Sequence, residues 1–319
     1  MYKEVHKSLL DWYDKNGRHS LPWRLTNDPY KVYVSEIMLQ QTQVKTVLER
    51  FYFPFLESFP TLADVASSDL DDVLKKWEGL GYYTRAKNLH QAARQCRGLL
   101  PGNAEGLMKL SGIGRSTAHA VAAFAYGEPL PILDANVKRI LHRYYALKER
   151  NEKKLWECAY RLFDPLHPFE YNQAMMDLGS MVCLHKDPLC DRCPLGQQCM
   201  GRNDPLAYPE VKIRTPKPVR RLNVIVYERN GKYALRQRIS RFLHGLWGFF
   251  ETDEAAVKPS RLLGHITQHY SHFTLEADVY RCDEAFDEEG FEWFAPEEIE
   301  ALSLSRADHK ALALLRYNS

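Results

Sequence analysis

The sequence predicts a chain of two domains, helical through its first two-thirds and mixed α and β after that. Three observations carry this expectation. Apolar residues recur at helical spacing, and no strand-like alternation occurs before Cys199. Four cysteines, Cys183, Cys190, Cys193 and Cys199, crowd into one loop at the end of that helical part. Beyond Gly201 the composition turns proline-rich and basic, then alternates with period two. At 319 residues, two domains are the default for a soluble chain. The division read from composition is 1–203, a stiff basic linker at 204–220 with Pro205, Pro209, Pro216 and Pro218, and a small α+β domain at 221–319.

A net charge of +2 gives no nucleic-acid signal in the total, but its distribution does. Asp283 to Glu300 is strongly acidic, so the rest of the chain is more basic than the sum suggests. The first residues, Met1 to His6, hold no apolar run of a secretory signal, and no stretch is apolar enough to span a membrane. The expectation is a soluble, intracellular monomer with reduced thiols. Clustered cysteines then point to metal rather than disulfides.

Helices follow in order. Val5 to Asn16 is amphipathic and stops at Asn16-Gly17. Asp28-Pro29-Tyr30 starts a second helix, with Val34, Ile37, Met38, Val44 and Leu48 as its core stripe. Glu36, Gln40 and Gln43 form another row at i, i+4 and i+7, either a solvated face or the wall of a cleft. Further helices are expected at Leu70–Trp77, Tyr83–Cys96, Glu105–Leu110, Asn136–Ala146, Glu152–Phe163 and Tyr171–Cys183. In the last domain Leu222–Tyr227 reads as a strand, Asn230-Gly231 as a tight hairpin turn, and Tyr233–Leu235 as the return strand. Phe273–Tyr280 and Phe291–Phe294 are further strands, and Ala307–Tyr317 a closing helix.

The stretch Leu110 to Asn136 organises the first domain. Leu110-Ser111-Gly112-Ile113-Gly114 interrupts a helical pattern, and Arg115-Ser116-Thr117-Ala118 begins a small-residue helix. A Gly-x-Gly turn before a helix N-terminus leaves N–H groups open to a phosphate, so Gly112, Gly114 and Arg115 are candidate DNA contacts. Asp134 follows in a short extended piece, where it can return a carboxylate to the gripped backbone. The cysteine spacing Cys-x6-Cys-x2-Cys-x5-Cys is the most specific signal in the chain. Four thiolates suit zinc or an iron–sulfur cluster. Cys96, Cys158 and Cys282 stand alone and read as buried structural residues.

This cysteine loop at the end of a helical domain resembles that of the endonuclease III superfamily of DNA glycosylases. Leu21-Pro22-Trp23-Arg24, Ser35-Glu36-Ile37-Met38-Leu39-Gln40-Gln41, Gly79-Leu80-Gly81-Tyr82-Tyr83, Leu133-Asp134-Ala135-Asn136 and Asn172-Gln173-Ala174-Met175-Met176-Asp177-Leu178-Gly179 look like the adenine DNA glycosylase (MutY) branch. The resemblance covers about the first two-thirds of the chain. It implies a helix–hairpin–helix glycosylase domain carrying a [4Fe–4S] cluster on the four cysteines. Its DNA partner is a duplex with adenine opposite 8-oxoguanine or G. Breaking the bond from sugar to adenine requires a protonated purine and a stabilised sugar cation, the two-carboxylate logic of glycosidases. The resemblance assigns the acid to Glu36, the stabilising carboxylate to Asp134, and an orienting role to Asn136. It gives the adenine pocket to Trp23, Arg24, Leu39 and Gln173, and duplex wedging to Gln41 and Tyr82. Ser116 stands where bifunctional relatives carry an amine-bearing Lys, which implies a monofunctional enzyme.

In the last domain, Leu243 to Phe249 and Tyr270-Ser271-His272-Phe273 resemble segments of the family's Nudix-like lesion-sensing domain. Ser271 and His272 are the expected lesion readers. Between Phe250 and Leu262 the sequence has no room for the metal-binding helix of a Nudix hydrolase, so no pyrophosphohydrolase activity is expected. Two other readings are a glycosylase/lyase acting on oxidised pyrimidines and a non-catalytic iron–sulfur DNA-binding protein. Ser116 opposes the first, and the pairing of Glu36 with Asp134 opposes the second.

Overall fold

The computed structural model describes residues 2–210, 215–240, 242–253, 261–283 and 289–318. Contacts gather the chain into two compact units, each drawing on two stretches: Met1–Ala66 with Gln91–Ile213, and Ser67–His90 with Arg214–Ser319. Ser67–His90 thus clusters with the C-terminal residues.

The first unit is helical, with no strand before Val219 among the described residues. Asp28 starts the helix Pro29–Leu39 as expected: its carboxylate accepts from the N–H groups of Tyr30 and Lys31, and Pro29 occupies the first turn. That helix stops well short of the single run expected. Gln41 takes a left-handed φ of 56°, and a separate helix begins at Val44–Arg50. The Glu36, Gln40 and Gln43 row is therefore broken after Leu39. In the second helix Val47 is the buried residue, not Leu48. The helices Lys3–Asn16, Ala135–Tyr144, Glu152–Leu162 and Pro168–Met181 pack around one core that includes Leu9, Leu133, Leu141, Leu162, Met175 and Leu178.

The second unit carries a mixed sheet. Its strands are β1 (Val219–Arg229), β2 (Lys232–Gln237), β3 (Trp247–Gly248), β4 (Phe250–Thr252), β5 (Arg261–His269), β6 (Thr274–Cys282) and β7 (Phe291–Phe294). The order is β3-β2-β1-β6-β5, with β4 pairing on β1 and β7 on β2. β1 and β6 run parallel from Val219↔Thr274 to Tyr227↔Cys282, and the named pairs around them are antiparallel. Asn230 and Gly231 both adopt positive φ, the geometry of the primed turn that Asn-Gly favours. The helix Arg306–Asn318 packs on β5 and β6, and Ala307, Ala311, Leu312 and Leu315 join the sheet's core. The Phe250–Leu262 stretch falls largely on residues 254–260, outside the described residues.

Candidate active site

In the first unit, the hairpin begins at Asn103. Its side chain caps the short helix Ala104–Leu107 through the Gly106 N–H at 2.8 Å. Gly112 takes φ 72°, where a side chain would be strained, and Gly114 caps the helix Arg115–Tyr126 in extended conformation. Ser111 ties this turn down: its N–H donates to Gln95 Oε1 at 2.8 Å and its hydroxyl to Gln91 Oε1 at 2.9 Å. The Arg115 guanidinium lies 4.0 Å from the centre of the Trp156 ring, stacked on the surface.

The segment leading to Asp134 is fastened side chain to backbone. Asn172 Oδ1 accepts from Ile132 N at 2.9 Å, and its amide donates to Leu130 O and Pro168 O. Ser116 Oγ accepts from Leu133 N at 3.2 Å. The hydroxyl thus positions backbone and brings no amine to the site.

Asp134 caps the helix Ala135–Tyr144. Its Oδ1 accepts from Val137 N at 2.7 Å and its Oδ2 from Asn136 Nδ2 at 3.1 Å. Burial raises its pKa, while these donors and the Arg139 cation work to lower it. Asn136 is held in turn by Arg139, whose Nη2 donates to Asn136 Oδ1 at 2.8 Å and whose Nε donates to Cys183 O at 2.7 Å. Gly179 lets the helix Pro168–Met181 approach here, since a Cβ on it would stand 2.4 Å from Asn136 Cβ.

Glu36 lies within reach of the charge of Asp134. Its carboxyl is pushed up to about 7, first by burial and then by the negative charge of Asp134, with the Arg24 cation opposing. The two carboxyls therefore share one electrostatic site, with Glu36 able to hold a proton near neutral pH. Arg24 is anchored by Asp177, through Nη1 to Oδ2 at 2.7 Å and Nη2 to Oδ1 at 2.8 Å. Arg18 grips the same buried carboxylate through its N–H at 2.8 Å and its Nε at 2.7 Å. Burial alone would raise Asp177, but the two arginines hold it below the ordinary range. Trp23 is buried edge-on against Tyr52, and Gln173 is buried on the helix Pro168–Met181. Leu39 ends its helix beside the exposed Gln41.

The sequence alone assigned no role to Arg139, Asn172, Asp177, Arg18 or Gly179, although Asn172, Asp177 and Gly179 lie in a segment that carries the family resemblance. A signal existed for two of them, Asn172 and Asp177. Asn172, Gln173 and Asp177 put polar groups at i, i+1 and i+5 of an otherwise apolar helix, and all three are buried.

The four loop cysteines form no disulfide and line one small cavity with Arg143 and Arg202. Burial and the neighbouring sulfurs raise the Cys190 and Cys199 thiols and push Cys193 up to about 12. Arg143 Nη1 donates to Cys183 Sγ at 3.3 Å and to Leu184 O at 2.6 Å, so a buried cation braces the loop. Among the described residues no three His, Cys, Asp or Glu side chains group so as to hold a single metal ion. The donor set is all sulfur with a compensating arginine, which suits a multi-iron cluster better than a hard cation.

In the second unit, Ser271 and His272 occupy the exposed tip between β5 and β6, with Ser271 Oγ 3.2 Å from His272 Nδ1. They line a cavity of about 410 Å³ together with Tyr82. Tyr82 is exposed and left-handed at φ 51°, like Gln41 in the first unit. Both residues read as wedges thus hold conformations that non-glycine residues rarely adopt.

Family models agree with this architecture. Residues 34–165 match the HhH-GPD superfamily of base excision DNA repair proteins, and residues 223–314 match the NUDIX domain. The chain is 40% identical over 245 residues to the adenine DNA glycosylase of Buchnera aphidicola from Acyrthosiphon pisum, covering 72% of this chain and 69% of that protein. The chain belongs to the adenine DNA glycosylase family. Two further members are the adenine DNA glycosylase of Buchnera aphidicola subsp. Baizongia pistaciae, 42% identical over 61% of this chain and 57% of its own length, and the human protein, 42% identical over 61% of this chain and 39% of its own length. The chain thus spans less than two-thirds of either of those two relatives. Among solved structures, a thermostable thymine-DNA glycosylase aligns with TM-score 0.58 and 27% identity, over 63% of this chain and 97% of its own. An endonuclease III–DNA covalent complex shares the fold, with TM-score 0.55 and 19% identity over 64% of this chain and 97% of its own. Among the described residues no helix is long and apolar enough to cross a membrane.

Proposed function

We propose that this chain is a monofunctional adenine DNA glycosylase, excising adenine opposite 8-oxoguanine or G in duplex DNA. The observation that carries the reading is the pair of carboxyls, Glu36 and Asp134, coupled through charge. Glu36 sits near 7 under burial and the charge of Asp134. Burial raises Asp134 as well, but an N–H and an amide donor favour its ionised form. Glu36 then donates a proton to N7 of the flipped adenine, which makes the base a leaving group. The Asp134 carboxylate stabilises the sugar cation as the bond to N9 breaks, and water completes the hydrolysis. Asn136, fixed by Arg139, orients Asp134. Gly112, Gly114 and Arg115 grip phosphate, Gln41 and Tyr82 fill the space the base leaves, and Trp23, Arg24, Leu39 and Gln173 frame the base.

Cys183, Cys190, Cys193 and Cys199 would hold a [4Fe–4S] cluster, which fixes the loop and supplies no step of the hydrolysis. Ser271 and His272 read the base on the other strand. The chain acts as a monomer inside the cell on this reading, within the boundaries 1–203, 204–220 and 221–319.

A single-turnover assay on duplexes with adenine opposite 8-oxoguanine, G and T tests it, with products read before and after alkali. Adenine release opposite 8-oxoguanine and G, with strand breaks only after alkali, is the expected result. Strand cleavage without alkali, together with a borohydride-trapped protein–DNA adduct, contradicts the monofunctional assignment.

A further inference from the structure

Lys87 and His244 meet at the wall of the cavity that holds Ser271 and His272. Lys87 Nζ lies 2.8 Å from His244 Nδ1. An ammonium donates and cannot accept, so His244 accepts at Nδ1 as a neutral ring and keeps its proton on Nε2. A carboxylate in the place of His244 would cancel the lysine's charge. The histidine leaves the pair at net +1.

Nothing else described around the cavity cancels that charge. Arg306 adds a second cation to its lining, and among the described lining residues none is Asp or Glu. The nearby acid Glu78 is already committed. It accepts from Lys75 Nζ at 2.7 Å, from Leu304 N at 2.9 Å, and is 2.6 Å from His309 Nε2. Burial lowers the Lys87 pKa, which marks a cation stripped of part of its water.

The backbone is bent to make this contact. Leu243 holds φ 53° and Gly245 φ 83°, and a Cβ on Gly245 would stand 3.5 Å from Lys87 Cε. The loop is held by Gly245 N donating to Arg238 O at 2.7 Å and Leu246 N to Leu243 O at 3.1 Å. A left-handed leucine is strain that a plain connection would shed. Here it turns His244 back onto the lysine.

We propose that Lys87 and His244 clamp a phosphodiester of the DNA strand carrying the base opposite adenine. The proposal rests on the reading that Ser271 and His272 meet that strand. Two unused N–H donors of Lys87 and the Nε2–H of His244 offer donors to a monoanion, which the +1 pair balances. Tyr82, Phe242 and Tyr270 line the same recess with rings, so base and phosphate find matching surfaces.

The test is binding to a duplex whose adenosine carries a 2′-fluorine, which destabilises the sugar cation and blocks cleavage. Affinity is measured against salt concentration for the full chain and for Lys87→Gln, Lys87→Arg, His244→Asn and Ser271→Ala. Loss of one phosphate contact flattens the slope of log affinity against log salt by about 0.9. Lys87→Gln is expected to show that change equally opposite 8-oxoguanine, G and T, and Lys87→Arg to restore the slope. His244→Asn is expected to weaken all three duplexes alike. Ser271→Ala should alter the ranking of partner bases and leave the slope alone. An unchanged slope in Lys87→Gln, or an effect confined to the 8-oxoguanine duplex, overturns the clamp. Adenine release on cleavable duplexes is scored separately, so a flattened slope without any release would retain the clamp and defeat the glycosylase reading.

Discussion

Replacing Glu36 by Gln should stabilise the protein above neutral pH, and the gain can be worked out. The carboxyl moves from an ordinary 4.5 to about 7 on folding. At ~1.4 kcal/mol per pH unit that corresponds to a cost of up to ~3 kcal/mol for the ionised form. The figure is a ceiling, because Glu36 is half-buried rather than sealed and solvent screens part of the field. The sign follows from proton binding. Between pH 4.5 and 7 the folded state holds a proton that the unfolded chain has released, so stability falls as pH rises through that window and levels off above it. Glutamine carries no such proton. Its variant should match the parent near pH 4.5 to 5 and exceed it by up to ~3 kcal/mol at pH 8. Urea unfolding of both proteins at pH 5.5, 6.5, 7.5 and 8.5 measures the gap. In an Asp134→Asn background the gap should shrink, since the charge of Asp134 is the second contribution to the Glu36 shift. A gap that stays constant with pH, or shrinks as pH rises, refutes the claim that the fold holds Glu36 protonated.

Other consequences follow from the shell around the carboxyls. Asp177→Asn leaves Arg24 and Arg18 on a neutral amide in a buried site and should cost about 3–5 kcal/mol at pH 7, read by denaturant unfolding. Because Asp177 is held below its ordinary range, the parent's advantage should be present above pH 4 and fade as pH falls further. Asn172→Ala orphans the buried Ile132 N–H and should cost about 1–3 kcal/mol, with a single-turnover rate that falls further than stability does. Gly179→Ala pushes a methyl into Asn136 Cβ and should slow excision with about 1–3 kcal/mol of lost stability, whereas Asn136→Gly in the same chain, which removes that Cβ, should recover part of the stability and none of the rate. The native protein should be brown with broad visible absorption, and a colourless, zinc-loaded native preparation would contradict the cluster assignment.

The helical first part and the cysteine loop were legible because periodicity and spacing are local properties. Asn230-Gly231 announced its hairpin for the same reason. The stop after Leu39 was hidden, since no Gly or Pro marks it and Gln41 enters the left-handed region without a sequence cue. β5 escaped notice because a bulge between Leu262 and Gly264 breaks its alternation, so that Leu263 and Ile266 are the residues that turn inward. The helix Tyr52–Ser58 was not among the expected elements; it carries Pro54 in its first turn, where the missing N–H costs no helical hydrogen bond. At the site, Glu36, Asp134 and Asn136 came from resemblance, and their shared environment became visible only in three dimensions. Arg139, Asp177 and Asn172 act across the fold, where no spacing along the chain reveals a partner.

The most direct test of the account is adenine release under single-turnover conditions at neutral pH. It would use a duplex with adenine opposite 8-oxoguanine, the parent chain, Glu36→Gln and Asp134→Asn. The account predicts release by the parent, none by Glu36→Gln, and release by Asp134→Asn slowed by several orders of magnitude, with all three proteins binding the duplex. A Glu36→Gln protein that releases adenine at the parental rate would contradict it.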